Sequence, residues 1–487
     1  MFIVAFWLVM IGFLIKKESF KEPKKVTDYN DSELVIDSTQ REWKEIFLKD
    51  KKVGYSVSML TPLEQGYFIQ EEILMKLNLM GMGKNLNTVT QAQVDKKFLL
   101  RSFFFKMTSG IISFSISGKM EKDSLVITTG KGRARRTQRI KMSRPPMIGI
   151  GLGHYFRSRV IHTGDIFKFP IFDPSTLSQR EVIIKVEDRE SLRINRVEFD
   201  TFRLEADMWG QKFNFWVDEN GSTLKEEGFM GMSSIKSSAA NAPHNIIADG
   251  GDDFYEATAV PIDRKLPDPG RLSSLKLKVE GLEALSQNYD NLNKGRQVLN
   301  GNILDITRER PPFNVSYSIP YDGSNELINS YLLPEFNIES DAKEILDKAG
   351  KIVGDNKDPV SVAKTLMAWV YNNLEKKPVV SIPSALEVLK TGVGDCNEHA
   401  TLLTAFLRAS GIPARLSIGL VYSKDKFFYH AWVEAYVGEW ITMDATINQM
   451  PVDVGHIGLL HGNLDKQVEI VGLIGKLNFK LLELNYD

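Results

Sequence analysis

At 487 residues the chain is too long for a single hydrophobic core, so two or three domains are expected. Its 43% hydrophobic and 25% charged content is that of an ordinary folded protein, and a formal net charge of −1 gives no global attraction to nucleic acid or anionic surfaces. The one cysteine, Cys396, excludes an intrachain disulfide and argues against a cysteine-based zinc site.

Residues 2–15 are apolar apart from Gly12. A helix of that length spans about 21 Å, short of the ~30 Å hydrocarbon core. The length suits a signal-peptide core, but no charged n-region precedes it and no small-x-small cleavage site follows. Lys16 and Lys17 follow, and on the positive-inside rule they favour a cytoplasmic body. We nonetheless expect a retained membrane anchor, residues 1–17, with an extracytoplasmic (periplasmic) body and further basic residues upstream of Met1. Residues 18–40, with Lys21, Glu22, Pro23, Lys24 and Lys25, read as a tether.

Residues 41–262 read as a β-rich domain, a curved antiparallel sheet or open barrel. Strand-like runs recur at Lys51–Ser58, Phe103–Met107, Ile111–Ile116, Leu125–Thr128, Glu181–Val186, Val197–Ala206 and Lys212–Val217. Asp218-Glu219-Asn220-Gly221 is a hairpin turn. The Phe, Met and Leu content of the inner face would allow a lipid-like cavity. The basic run Lys131, Arg133, Arg135, Arg136, Arg139 and Lys141 lacks interleaved aromatics, so it reads as a solvated strand and no nucleic-acid partner is expected. Gly149-Ile150-Gly151-Leu152-Gly153 reads as a turn, not a phosphate cradle. His154 and His162 read as structural. The segment from Ser237 to Asp252 is loop-like and could lie over a groove between domains.

Residues 263–335 read as a small β module bridging to the last domain, with a strand at Leu275–Val279 and a connector at Arg308–Pro312. From residue 336 the pattern turns helical. One helix is expected over Asp341–Lys348. Asp358 as N-cap and Pro359 at the first helical position open a second, whose face of Val362, Leu366, Met367, Val370 and Leu374 is core. Trp369 and Tyr371 on that helix read as core as well. Ser384 caps a third.

The fourth helix starts at the cysteine. In Gly392-Val393-Gly394-Asp395-Cys396-Asn397-Glu398-His399, Asp395 and Glu398 have capping-box spacing. Leu402, Leu403, Phe406 and Leu407 give an apolar face, and Gly411 and Pro413 end it. Cys396 therefore sits in the first turn, where unpaired N–H groups and the helix dipole favour a thiolate. Phe427–Tyr436 reads as a strand with His430, Trp432, Glu434 and Tyr436 on one face. Trp440–Asp444 is the return strand after a turn at Gly438-Glu439. Only an even register, Trp432 opposite Asp444 and Tyr436 opposite Trp440, puts Asp444 on the His430 face. Nucleophile, base and orienting acid then follow in the order Cys396, His430, Asp444. His399, one turn from Cys396, is a rival base. Trp432 would shield the His–Asp pair or simply pack. His456 and His461 would line a groove or cap a loop.

Gly394-Asp395-Cys396, His430-Ala431-Trp432-Val433-Glu434 and Met443-Asp444-Ala445-Thr446 together resemble the transglutaminase-like superfamily, whose fold is similar to papain-like cysteine proteases. The resemblance covers residues 336–487. It implies an α+β catalytic domain with Cys396 as nucleophile, His430 as general base and then acid, and Asp444 orienting it. The backbone N–H of Cys396 would form part of an oxyanion hole, and the sequence names no second donor. The expected chemistry is acyl transfer on protein or peptide amides through a thioester, ending in hydrolysis or amine crosslinking, with no cofactor and no metal. No calcium-loop pattern of the EF-hand type occurs. The competing class is a non-enzymatic envelope scaffold whose β domain binds a protein or lipid-like ligand.

Overall fold

The computed structural model describes residues 24–25, 36–130, 135–142, 144–208, 211–247, 249–282, 290–311, 313–382, 384–462, 470 and 473–486. The apolar stretch 2–15, most of the tether, Lys131, Arg133 and Pro312 lie outside them. Among the described residues no helix is long and apolar enough to cross a membrane.

The first half of the chain forms one sheet of 16 strands, almost wholly antiparallel. One meander runs from Gln40–Leu48 to Arg136–Lys141 and a second from Ile166–Asp173 to Met232–Ser237. Met232–Ser237 pairs back onto Gln40–Leu48, Met232 facing Leu48 and Ser237 facing Trp43, which joins the two. Short parallel additions, Lys24–Lys25 and Met147–Ile148, sit on Ile166–Asp173. Alternation drives the strands: Leu100, Phe103, Phe105 and Met107 point inward from Leu100–Ser109. The sheet curls until rings from the two meanders meet, Phe103 and Phe172 at 5.4 Å.

The glycine run is more than the turn its sequence suggests. Gly149–Gly151 makes a 3-10 turn that continues into the helix Leu152–Arg157. Leu152, Tyr155 and Phe156 recur at helical spacing and pack inside the curl, so tertiary packing overrides the glycines. The longest hairpin, Gly66–Leu79 with Met82–Val94, shows little alternation in its sequence, because Gln70, Glu71, Glu72, Asn85 and Asn87 spread polar groups over both faces. Arg136–Lys141 is a mostly solvated strand, with Arg139 on Glu121 at 2.8 Å and Arg136 on Asp341 at 2.7 Å.

The last domain packs four helices on a four-stranded sheet. The helices are α1 (Lys343–Val353), α2 (Pro359–Asn373), α3 (Ala385–Thr391) and α4 (Cys396–Ala409). The strands are β1 (Ala414–Ser423), β2 (Lys426–Tyr436), β3 (Trp440–Met443) and β4 (His456–His461), in the order β3-β2-β1-β4. Leu402, Leu403, Phe406 and Leu407 of α4 are fully buried between α2 and the sheet. Helix α1 runs beyond its expected end at Lys348 because Ala349 and Ile352 extend the apolar stripe.

The expected bridging stretch, 263–335, and the expected last domain, 336–487, share a sheet. Leu272–Glu280, Gln297–Asn300 and Ile303–Thr307 pair with the last strand, Asn478–Tyr486, in a separate four-stranded sheet. Phe313, Tyr317 and Ile319 pack instead against the α4 core. An edge strand needs a partner, and a chain terminus can supply one from any sequence distance.

Candidate active site

The start of α4 forms as its residues dictate. The Asp395 carboxylate accepts from the Asn397 N–H at 3.2 Å, and the Glu398 carboxylate accepts from the Asp395 N–H at 2.9 Å, closing the capping box. The Ser381 hydroxyl also donates to Glu398. Gly394 is required beside this box: a Cβ there would come within 2.2 Å of the Glu398 Cβ. Cys396 is half-buried in the first helical turn.

Strand β2 brings the histidine to it. Tyr436 faces Trp440 and Val433 faces Met443 across β2 and β3, the even register that carries Asp444 to the His430 side. The His430 Nε2 lies 2.6 Å from Asp444 Oδ2, and both side chains are buried. Cys396 lies close enough to His430 and to the Ala431 backbone N–H for both to act on its thiol. The three distant residues thus come together, sulfur beside an imidazole that is bonded to the carboxylate.

The charges within it are set by competition. Burial alone would lower the His430 pKa, but the Asp444 charge and then Cys396 outweigh it and raise it to about 9. Burial likewise opposes the Asp444 carboxylate, yet His430 and His456 hold it well below the usual carboxylate range. Burial pushes the Cys396 thiol up and Asp395 adds to this, while His430 and the Ala431 N–H pull it down. Burial and Asp395 prevail, leaving the thiol above its ordinary value, with His430 and then the Ala431 N–H favouring the thiolate.

His456 is also part of this arrangement, a place no local motif signals. Val421 of β1 faces His456, placing it on the His430 side of the sheet. Its Nε2 is 3.2 Å from the same Asp444 oxygen and its Nδ1 3.2 Å from Asp453. Burial lowers the His456 pKa, but the bonds to Asp444 and Asp453 raise it on balance. Arg296, from the bridging module, donates to the Val452, Asp453 and His456 carbonyls and fixes that loop. The ligand atoms of His430, Asp444 and His456 lie within 4.8 Å of one another, a spacing that could hold a metal ion; the two hydrogen bonds to Asp444 already account for it. Trp432 packs on both histidines, its ring 6.3 Å from His430 and 5.3 Å from His456, and is 2% exposed. It closes the pair off from water.

The other histidines lie apart. The His399 Nδ1–H donates to the Asp395 carbonyl at 2.6 Å, its Nε2 is buried without a hydrogen-bond partner, and burial lowers its pKa. His461 bonds Glu434 at 2.8 Å, and Arg415 holds the other oxygen at 2.6 Å. His154 is buried in the β domain against Ser58, and His162 is exposed near Asp165. Trp369 packs edge-on against Phe406 of α4, and Lys376 lies over Tyr371.

The segment after the β domain reaches the site. Asp253 accepts from the Met80 and Gly81 N–H groups and caps the short helix Phe254–Ala257. Tyr255 of that helix stacks on Phe428 at 4.7 Å, nearly coplanar. Burial first, and then the charges of Cys396 and Asp395, push its phenol up, so Tyr255 is a neutral ring beside the nucleophile. Glu256 with Lys426 and Val260 with Phe427 fasten the segment to β2.

Residues 347–445 match the model of the transglutaminase-like superfamily, a span that includes Cys396, His430 and Asp444. An uncharacterized Mycobacterium leprae protein is 28% identical over 120 residues, 22% of this chain and 43% of that relative, so the match spans less than half of its length. A candidate cysteine protease from Cytophaga hutchinsonii is similar in structure at 18% identity and a TM-score of 0.29, covering 45% of this chain and 85% of the other. A candidate protease from Parabacteroides distasonis gives 12% identity and a TM-score of 0.20 over 73% of this chain and 68% of the other. Scores at this level add no functional weight. The chain carries a transglutaminase-like core domain at residues 347–445.

Proposed function

We propose that this protein is a cysteine-dependent acyl-transfer enzyme acting on protein or peptide amides, with hydrolysis as its usual outcome. The observation that supports it is the meeting of the Cys396 thiol with a His430 that is hydrogen-bonded to Asp444. The sulfur attacks the amide carbonyl carbon as its proton passes to His430. The negative oxygen that forms is met by the Cys396 backbone N–H, one of the donors an α-helix leaves unpaired at its start. His430 gives its proton to the leaving nitrogen, the C–N bond breaks, and a thioester remains. Water then adds, giving a proton to His430. The C–S bond breaks, and the sulfur recovers that proton as the acid leaves. An amine in place of water gives a crosslink by the same steps. Hydrolysis is favoured because water is always available as acceptor.

The test is iodoacetamide labelling of Cys396 from pH 5.5 to 9. The expected result is labelling at pH 7 faster than that of an ordinary thiol, lost in His430→Ala. An ordinary thiol profile in the wild type overturns the proposal. New α-amino groups released from casein, absent with Cys396→Ala, would identify hydrolysis.

A further inference from the structure

The β domain holds a cavity of about 410 Å³, lined only by its own residues and not by Cys396. Protein interiors hold few voids larger than a water, and ligand pockets run from about 300 to 1,000 Å³. Its walls are apolar: Phe105, Ile148, Ile150, Leu152, Phe156 and Phe172. The curl of the sheet supplies one side and the glycine-run helix the other. Gly149 lines it, and a Cβ there would meet nothing within 4 Å.

One wall is polar, and its charges do not balance. Glu71, Asp173, Glu181, Asp207 and Glu226 line the cavity against one lining cation, Arg180. Lys44 is bound to Glu226 at 2.6 Å, and the Ser234 hydroxyl donates to the other Glu226 oxygen at 2.7 Å. The neighbouring cation Arg157 is engaged by Glu42, Gln40 and Ser222. His154 is held neutral by burial and by Arg157 and Lys44. Glu71 is left as the carboxyl without a counter-ion of its own. Burial, opposed by Lys44, pushes it up to about 7. A group in that state gains from any partner that brings a positive charge.

We propose that this cavity binds a cationic amphiphile, a single apolar chain or ring system with an amine head that pairs with Glu71. The apolar walls take the body, and Thr90, opposite Glu71 on the next strand, offers the amine a second contact. A carboxylate head is disfavoured, because it would face Glu71 and Glu226 across the same space. The site is separate from the cysteine, so the proposal stands or falls independently of acyl transfer.

The experiment measures binding of the fluorescent probe N-phenyl-1-naphthylamine to the full chain, and its displacement by decylamine, decanol and decanoate. Probe binding is expected, with decylamine the strongest competitor and decanoate the weakest. Glu71→Gln should weaken decylamine at least tenfold while leaving decanol unchanged. Gly149→Phe and Ile150→Trp should each fill the space and abolish probe binding, with the thermal unfolding temperature reporting that the variant is folded. Decanoate competing as well as decylamine overturns the proposal. So does probe binding that survives in a folded filling variant, or wild-type protein that binds no probe.

Discussion

Two polar clusters in this molecule, one buried and one lining a cavity, contain the same kinds of groups in opposite states. Around Asp444, two histidines flank one carboxylate, which is held well below its usual range. Around Glu71, one lysine is shared by two carboxyls, and the unpaired one rises to about 7. Burial acts on both carboxyls in the same direction. The number of cations within reach decides the outcome. The first cluster stores a charge that can steer a proton, and the second leaves a carboxyl open to a ligand.

The largest effect comes from breaking the first cluster. Asp444→Ala removes the partner of both His430 and His456 and leaves two buried imidazoles facing each other. Turnover on any substrate found should fall about 10⁴-fold, as when an orienting acid is lost. Removing one partner of a buried pair should also destabilise the fold by about 3–5 kcal/mol. Chemical denaturation and single-turnover kinetics on the same variant separate the two effects.

The clusters also titrate in adjacent windows. The His430 pKa is raised from 6.5 to about 9, so its contribution to stability is full below 6.5 and lost as pH rises through 9. Glu71 is a carboxyl raised from 4.5 to about 7: the folded state keeps a proton the unfolded chain releases, so its contribution is lost between those values. His154, lowered from 6.5 to about 3, works with the opposite sign and costs stability as pH falls through its range. Differences between variants are therefore the measure. Glu71→Gln should flatten the loss between pH 4.5 and 7, on the order of 1–3 kcal/mol. His430→Gln should flatten the loss between 6.5 and 9 and leave the lower window untouched. A variant that flattens the other window would show that the two clusters are not independent.

Both clusters lie where sequence reading has unequal reach. Asp395, Cys396 and Glu398 announce themselves because a capping box is local, and local chemistry is legible from spacing alone. His430 and Asp444 are legible one step further out, through strand alternation and a single register. His456 is not, since its place depends on a loop that Arg296, more than 150 residues earlier, holds through three carbonyls. The same limit hides Glu71. It lies on a hairpin with polar groups on both faces, and its neighbour Lys44 stands two strands away across the short side chains of Ser56 and Ser58. The final strand pairs with Leu272–Glu280 for reasons no nearby residue contains.

Tyr255 gives the smallest and most specific test, because it comes from the β-domain side and touches the site on the other. Its ring lies flat on Phe428, two residues before His430 on the same face of β2. Asp253 anchors its helix to the Met80–Gly81 turn. Tyr255→Ala removes the ring while leaving the line from Cys396 to Asp444 in place. Iodoacetamide labelling of Cys396 should quicken several-fold with an unchanged pH profile, since access changes and charge does not. Tyr255→Phe should label at the wild-type rate, because the stack survives without the hydroxyl. If Tyr255→Phe instead shifts the pH profile, the hydroxyl acts on the sulfur directly. The inter-domain segment would then be part of the chemistry rather than a cover over it.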